Sequence, residues 1–146
     1  CSLIRVDLTM NIKLISTKAV VIELSPFQED VEKENSFSFD FNPVLDEDDK
    51  NRFGIVFLGE QISSADNYRC KVIYIAQFET STPLDFNYLT DPFLLINAPA
   101  IGYPYFRAFY STILLNAGYN PIVLPTINFV KLHESKKNDI SNNNNE

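Results

Sequence analysis

The chain has 146 residues, 45% of them hydrophobic and 21% charged, which suits one domain burying roughly two-thirds of the surface that its unfolded form exposes. Its net charge of −7 and pI near 4.7 argue against nucleic acid, which is held by Lys and Arg on phosphates, and against anionic membrane surfaces. The same charge suits a basic partner, such as a positively charged unfolded chain.

After an apolar start at Leu3-Ile4-Arg5-Val6, the first half reads as strands. Leu14 to Leu24 is rich in β-branched residues and ends at Ser25-Pro26. An acidic loop follows through Glu29, Asp30, Glu32 and Glu34. Ser36 to Asn42 alternates strictly, placing Phe37, Phe39 and Phe41 on one face of a strand that Asn42-Pro43 closes. Asp46 to Asn51 is a solvated turn, and Phe53 to Ile62 is an apolar run suited to an inner strand. After a turn at Ser63 to Asn67, Tyr68 to Phe78 puts Tyr68, Cys70, Val72, Tyr74, Ala76 and Phe78 on one face. Four strands with polar turns predict an antiparallel meander that must bury one face.

The second half supplies the cover. Thr82-Pro83 opens a segment with short helical turns up to Asn97. Tyr103-Pro104 then begins the clearest helix, with Pro104 in its first turn and Gly118 as its stop. Phe106, Phe109, Tyr110, Ile113, Leu114 and Ala117 make one apolar stripe along it. Pro121 and Pro125 lead to a weaker helix near Thr126 to Lys136. The predicted class is α+β: a four-stranded antiparallel sheet, a long helix and a shorter C-terminal helix. Residues 1–137 form a single domain and 138–146 a disordered polar tail.

Constellations for catalysis are scarce. The single histidine, His133, reads as a surface group, and the two cysteines, Cys1 and Cys70, give neither a disulfide framework nor a zinc motif. Cys70 suits a buried reduced thiol, and cysteine usage fits a reducing cytoplasm. Cys1 is read as a trimmed start, with a lipid-bearing N-terminal cysteine as the other reading. Asp46-Glu47-Asp48-Asp49 lacks the spacing of a calcium loop, and no phosphate-cradling glycine loop occurs. No apolar run reaches the roughly 20 residues of a membrane span. No catalytic residue, metal or cofactor is expected, which points to a binding protein. The 12 Phe and 7 Tyr exceed what the helix stripe and Phe strand absorb, leaving aromatic surface for a groove.

The segment Pro99-Ala100-Ile101-Gly102-Tyr103-Pro104-Tyr105-Phe106-Arg107 resembles the signature of the SecB family of export chaperones. Gly118-Tyr119, Pro121, Leu124, Pro125 and Asn128-Phe129 continue the likeness. Upstream, Thr17-Lys18, Glu23 and Tyr68 to Val72 follow the family's strands more loosely, so the match spans roughly residues 11 to 132.

The resemblance implies a holdase for unfolded polypeptides, assembled as a homotetramer (a dimer of dimers) with its helices sandwiched between sheets. It also implies clients held in aromatic surface grooves, for which Phe93, Tyr103, Tyr105 and Tyr119 are the candidates here. Many members pass cargo to SecA through an acidic patch on the outer sheet face. Glu23 keeps one acid of that patch, whereas Ala19 stands where the pattern favours an acid, and Arg69 and Lys71 bring cations. That departure implies a holdase uncoupled from SecA, either a solitary chaperone or one that guards an antitoxin as some relatives do. A small α+β module for an apolar ligand is the reading outside this class.

Overall fold

The computed structural model describes residues 11–26, 35–84, 91–120 and 124–135, with Phe93 described through its backbone. Cys1, the Leu3 to Val6 stretch, the loop from Glu29 to Glu34, Pro121, Lys136 and the tail 138–146 lie outside the described residues.

Four strands form one antiparallel sheet: β1 (Ile12–Pro26), β2 (Ser36–Leu45), β3 (Arg52–Ser63) and β4 (Tyr68–Thr80). Their spatial order is β1-β4-β3-β2. The expected meander therefore runs from β2 to β4, while β1 lies against β4 instead of β2. Two irregularities in the β1–β4 register, between Leu14 and Ser16 and between Ala19 and Val21, leave Ile15 and Val20 as extra residues. Such bulges twist an edge strand and make it a poorer template for unwanted pairing.

Pro43 does not close β2, which continues to Leu45 with Pro43 opposite Ile55. A proline donates no ladder hydrogen bond and is tolerated because β2 is an edge strand. The same parity sends the N–H groups of Phe37, Phe39 and Phe41 to the edge that no described strand pairs. The carboxylate of Asp40 accepts the Phe41 N–H at 2.9 Å, closing that stretch of edge.

The polar turns hold themselves through side chains. Asp46 Oδ1 accepts the N–H groups of Asp48 (2.9 Å) and Asp49 (3.3 Å), and Asp49 Oδ1 accepts that of Asn51 (2.9 Å). At the next turn Asn67 takes a positive φ of 56°, which Asn tolerates better than most residues.

One sheet face is aromatic and covered. Helix α1 (Ala98–Asn116) lies across it, preceded by a π-helical turn at Phe93–Asn97. α1 starts six residues before Pro104, so Pro104 is interior and Pro99 takes the first-turn position. The helix packs closely because a Cβ on Gly59 would meet Phe106 Cζ at 2.6 Å, and one on Gly102 would meet Ala76 Cβ at 3.0 Å. Phe106, Tyr110 and Leu114 are fully buried, whereas Ala117, at the helix C-cap, is exposed. Gly118 ends the helix with φ +94°, a left-handed conformation that glycine adopts without a Cβ clash.

Beneath the second half of α1, the Tyr110 hydroxyl donates to Gln61 Oε1 at 3.0 Å. Burial pushes the Tyr110 hydroxyl far above its ordinary pKa and raises the Cys70 thiol as well. Cys70 is a free, fully buried thiol, as its strand position predicts.

A last helix, α2, covers residues 129–135. Asn128 caps it, its Oδ1 accepting the Lys131 N–H at 3.1 Å. Phe129 drives into the core against Phe41 (5.4 Å between ring centres) and Tyr103 (5.6 Å). No helix among the described residues is long and apolar enough to cross a membrane.

Candidate functional site

The chain from Pro125 to Leu132 crosses the molecule between β2 and the start of α1, and a hollow opens on each side of it. The larger, about 500 Å³, lies between Phe37 and Phe39 of β2 and Pro125, Ile127, Lys131 and Leu132. The smaller, about 420 Å³, lies between Ile96 and Ala100 and the same segment's Ile127, Phe129 and Val130. Ile127 and Asn128 line both hollows, which adjoin across this segment and are together called the trough.

Three local features build its walls. The alternation in β2 turns Phe37 and Phe39 to the covered face. There Phe39 meets Phe57, Phe106 and Tyr103, at 6.1, 5.9 and 5.3 Å between ring centres. The Tyr103 hydroxyl donates to the Pro125 carbonyl at 2.6 Å and ties the crossing segment to α1. Burial raises the Tyr103 pKa, which keeps the hydroxyl a donor, while the nearby Arg107 opposes the shift. Finally, Pro104 has no N–H, so the Ala100 carbonyl, one turn earlier, has no partner there. The trough thus combines apolar side chains with main-chain groups: the Ala100 carbonyl on one wall and the free edge at Phe37 and Phe39 beside the other. Such a surface accepts an extended chain through side chains and backbone together.

The four groove candidates fall in different places. Phe93 lies in the π-helical turn. Tyr103 is 5% exposed and acts from beneath, as the tie to Pro125. Tyr105 is 51% exposed on the outer side of α1. Tyr119 is half-buried beyond the far end of α1, its ring 4.7 Å from that of Tyr68. Of the trough's own lining, the sequence reading singled out the Phe strand, Ala100, Pro125 and Asn128-Phe129 as motif or core residues. It passed over Ile96, Ile127, Val130 and Leu132.

Two further surfaces are exposed and apolar. On α1, Ile101, Tyr105, Ala108, Thr112 and Leu115 recur at spacings of four and three residues, all exposed. That is the alternating four-and-three spacing of a coiled-coil seam. On the open sheet face, the register aligns Val21, Ile73 and Leu58 in one row and Lys18, Ile75 and Val56 in the next. Glu23, Lys71 and Glu60 form the row beyond, and Arg69 pairs with Glu60 at 3.2 Å. The partner-facing candidates Glu23, Arg69 and Lys71 therefore share one face, with Lys71 between the two acids Glu23 and Glu60. No group of three or more His, Cys, Asp or Glu able to hold a metal occurs among the described residues.

Comparison with known proteins is consistent with this architecture. The family model for preprotein translocase subunit SecB matches residues 60–139, more than half of the chain. The chain belongs to the SecB family. The matched span contains Pro99 to Phe129, the segment whose motifs carried the resemblance. Protein-export protein SecB 1 of Gluconobacter oxydans is 30% identical over 71 residues, 46% of this chain and 41% of that relative. The match thus spans about two-fifths of that SecB's length.

Among solved structures, a SecB-like chaperone of Mycobacterium tuberculosis, in complex with a peptide from the HigA1 antitoxin, superposes with a TM-score of 0.61 at 12% identity. That match covers 80% of this chain and 89% of the other. A protein of unknown function from Streptococcus agalactiae gives 0.51 at 9% identity, over 80% and 98%. At such identities the likeness is one of fold.

Proposed function

We propose that the chain is a holdase of the SecB type, which binds extended, non-native polypeptide and performs no catalysis. The observation that carries this reading is the pair of apolar hollows that adjoin across Ile127 and Asn128. A folded ligand needs matched polar contacts, whereas an unfolded segment offers apolar side chains and an unpaired backbone, both of which this trough can take. Weak contacts repeated along a client, and across copies of the chaperone, add up to useful avidity.

Assembly supplies those copies. The α1 stripe ending at Leu115, 61% exposed, and the β1 edge with Ile22, 53% exposed, are apolar surfaces that association would cover. A homotetramer built as a dimer of dimers uses both, and a cytoplasmic site of action fits the free thiol of Cys70. Tyr105 belongs to the helical interface in this reading, while Tyr103 supports the trough.

For the open sheet face, the pairing of Arg69 with Glu60 and the position of Lys71 between Glu60 and Glu23 favour a chaperone that does not dock a basic SecA segment there. Guarding an antitoxin, the setting in which the Mycobacterium tuberculosis relative was captured, fits such a chaperone. The test is suppression of aggregation of a slowly refolding, unrelated protein, titrated against this one and paired with light-scattering mass. Suppression near one tetramer per client is the expected result; a folded monomer that suppresses nothing would remove the reading.

A further inference from the structure

We propose that the open sheet face docks on the same face of a second copy of the chain, the two sheets stacking with each strand antiparallel to its own copy. The inference is separate from client holding and gives the open face an occupant of its own.

The strand register fixes what this face presents. Across β3, β4 and β1, one end row reads Arg52, Glu79, Lys13; the middle row reads Val56, Ile75, Lys18; the far row reads Glu60, Lys71, Glu23. The two end rows are therefore opposite in sign on every one of these strands. Val56 is midway between Arg52 and Glu60, and Ile75 is midway between Lys71 and Glu79. A two-fold axis along the middle row lays each strand over its own copy, running the other way. Arg52 then meets Glu60 of the second copy, Glu79 meets Lys71, and Lys13 meets Glu23. Stacked sheets lie about 10 Å apart with strands within about 30° of each other, a gap and an offset that Lys, Arg and Glu side chains reach across. The same axis sets Leu58 over Gly54, beside which a hollow of about 200 Å³ lies between Val44, Arg52, Ile75 and Gln77. Leu58 is the knob for that hollow, and Val56, Ile73 and Ile75 close the apolar centre.

The remaining charges of the face do not oppose the contact. Counting Lys18, Arg69 and Asp40 with the end rows, the strands bring five cations and four carboxylates to it, on a chain of net charge −7. Lys18 meets its own copy on the edge strand β1, where long side chains turn out to water. Asp40 lies on the other edge strand, β2, opposite Val44 at the solvated rim. The acidic turn from Asp46 lies over Ser36 and Ser38 of the second copy, and its Asp49 already pairs with Arg52 at 3.5 Å. The contact is about 26 Å long and about 19 Å wide at strand spacings, or about 1,000 Å² counted over both copies. That is the lower limit of specific interfaces, so the dissociation constant is expected at about 10–100 μM.

The experiment is sedimentation velocity of the full chain from about 1 to about 300 μM, a range that brackets this constant. Mass is expected to rise with concentration beyond that of the smallest assembly. Lys71→Glu and Glu79→Lys each set like charges over one another twice per pair of copies, and each should weaken association about ten-fold. The double variant sets opposite charges over one another again and should restore it. Leu58→Ala leaves the charges in place, takes the knob from the hollow and should weaken association about five-fold or more. Circular dichroism checks that each variant folds, and Leu58→Ala carries the test if a charge variant does not. A mass that stays constant to the highest concentration overturns the proposal. So does association that the folded single variants leave unchanged, or that the double variant fails to restore.

Discussion

The two faces of the sheet are made from the same four strands and differ in what they can do. The inner face is aromatic: Phe57, Phe78, Tyr68 and their neighbours are fully buried under α1. The outer face is aliphatic at its centre, with Val56, Leu58, Ile73 and Ile75 half-buried among rows of alternating charge. Rings that interlock fix the position of a helix and leave hollows where the ring layer ends, as at Phe37 and Phe39. The open face carries balanced charges and a smaller hollow, about 200 Å³, at the corner where Val44, Arg52, Ile75 and Gln77 meet. In the proposed reading, client-binding capacity lies at the margin of the aromatic layer, where packing stops, and not at the centre of the larger open surface.

The comparison breaks most dramatically at the helix–sheet contact. Gly59→Val places a branched side chain against the Phe106 ring, which Phe57, Tyr74 and Tyr110 hold in place. A loss of about 3 kcal/mol or more is expected in urea denaturation, with the trough lost along with the fold.

Ile127→Asp comes next. It puts a charge at the junction of both hollows, on a half-buried position outside the core proper. Client affinity should fall by about ten-fold or more while circular dichroism and stability change little.

Alkaline pH has a smaller, graded effect. The Cys70, Tyr68, Tyr103 and Tyr110 pKa values are all raised, chiefly by burial, from ordinary values of 9.0 for Cys and 10.0 for Tyr. The unfolded chain therefore releases these protons first. Stability should be flat below about pH 9 and decline as pH rises beyond it, a slope that thermal melts across that range would detect.

The smallest effect is expected on the open face. Arg69→Ala breaks an exposed pair worth about 0.2–1 kcal/mol and should leave client binding unchanged. A large loss of holding in that variant would move the site to the outer face.

Much of this architecture was legible in the sequence because it is written in local periodicity. Strict alternation from Ser36 to Asn42 put three Phe rings on one face, and the alternation from Tyr68 to Phe78 predicted the buried side of β4 residue by residue. The long helix was legible, but its start was not. Pro99 and Pro104 both suit a first turn, and only packing of Ala98 and Gly102 against the sheet selects the earlier one. The pairing of β1 with β4 was hidden because strand neighbours so distant in sequence, from Pro26 opposite Tyr68 to Ile12 opposite Thr80, leave no local mark.

The site was less legible than the fold, for a physical reason. Ile127, Val130 and Leu132 look like core residues by composition, and only the three-dimensional end of the aromatic layer makes them a trough. Tyr103 invited a binding role as a large aromatic in the family motif. Its hydroxyl donates to the Pro125 carbonyl, so its contribution to the wall comes from below.

Hydrogen exchange, with and without a non-native client, tests the central claim most directly. The account predicts slowed exchange of amides in residues 126–132 and at the free edge of β2 around Phe37 and Phe39, with the central residues of the open face, Val56 to Leu58 and Ile73 to Ile75, unchanged. Protection confined to the open face, with residues 126–132 unaffected, would contradict it.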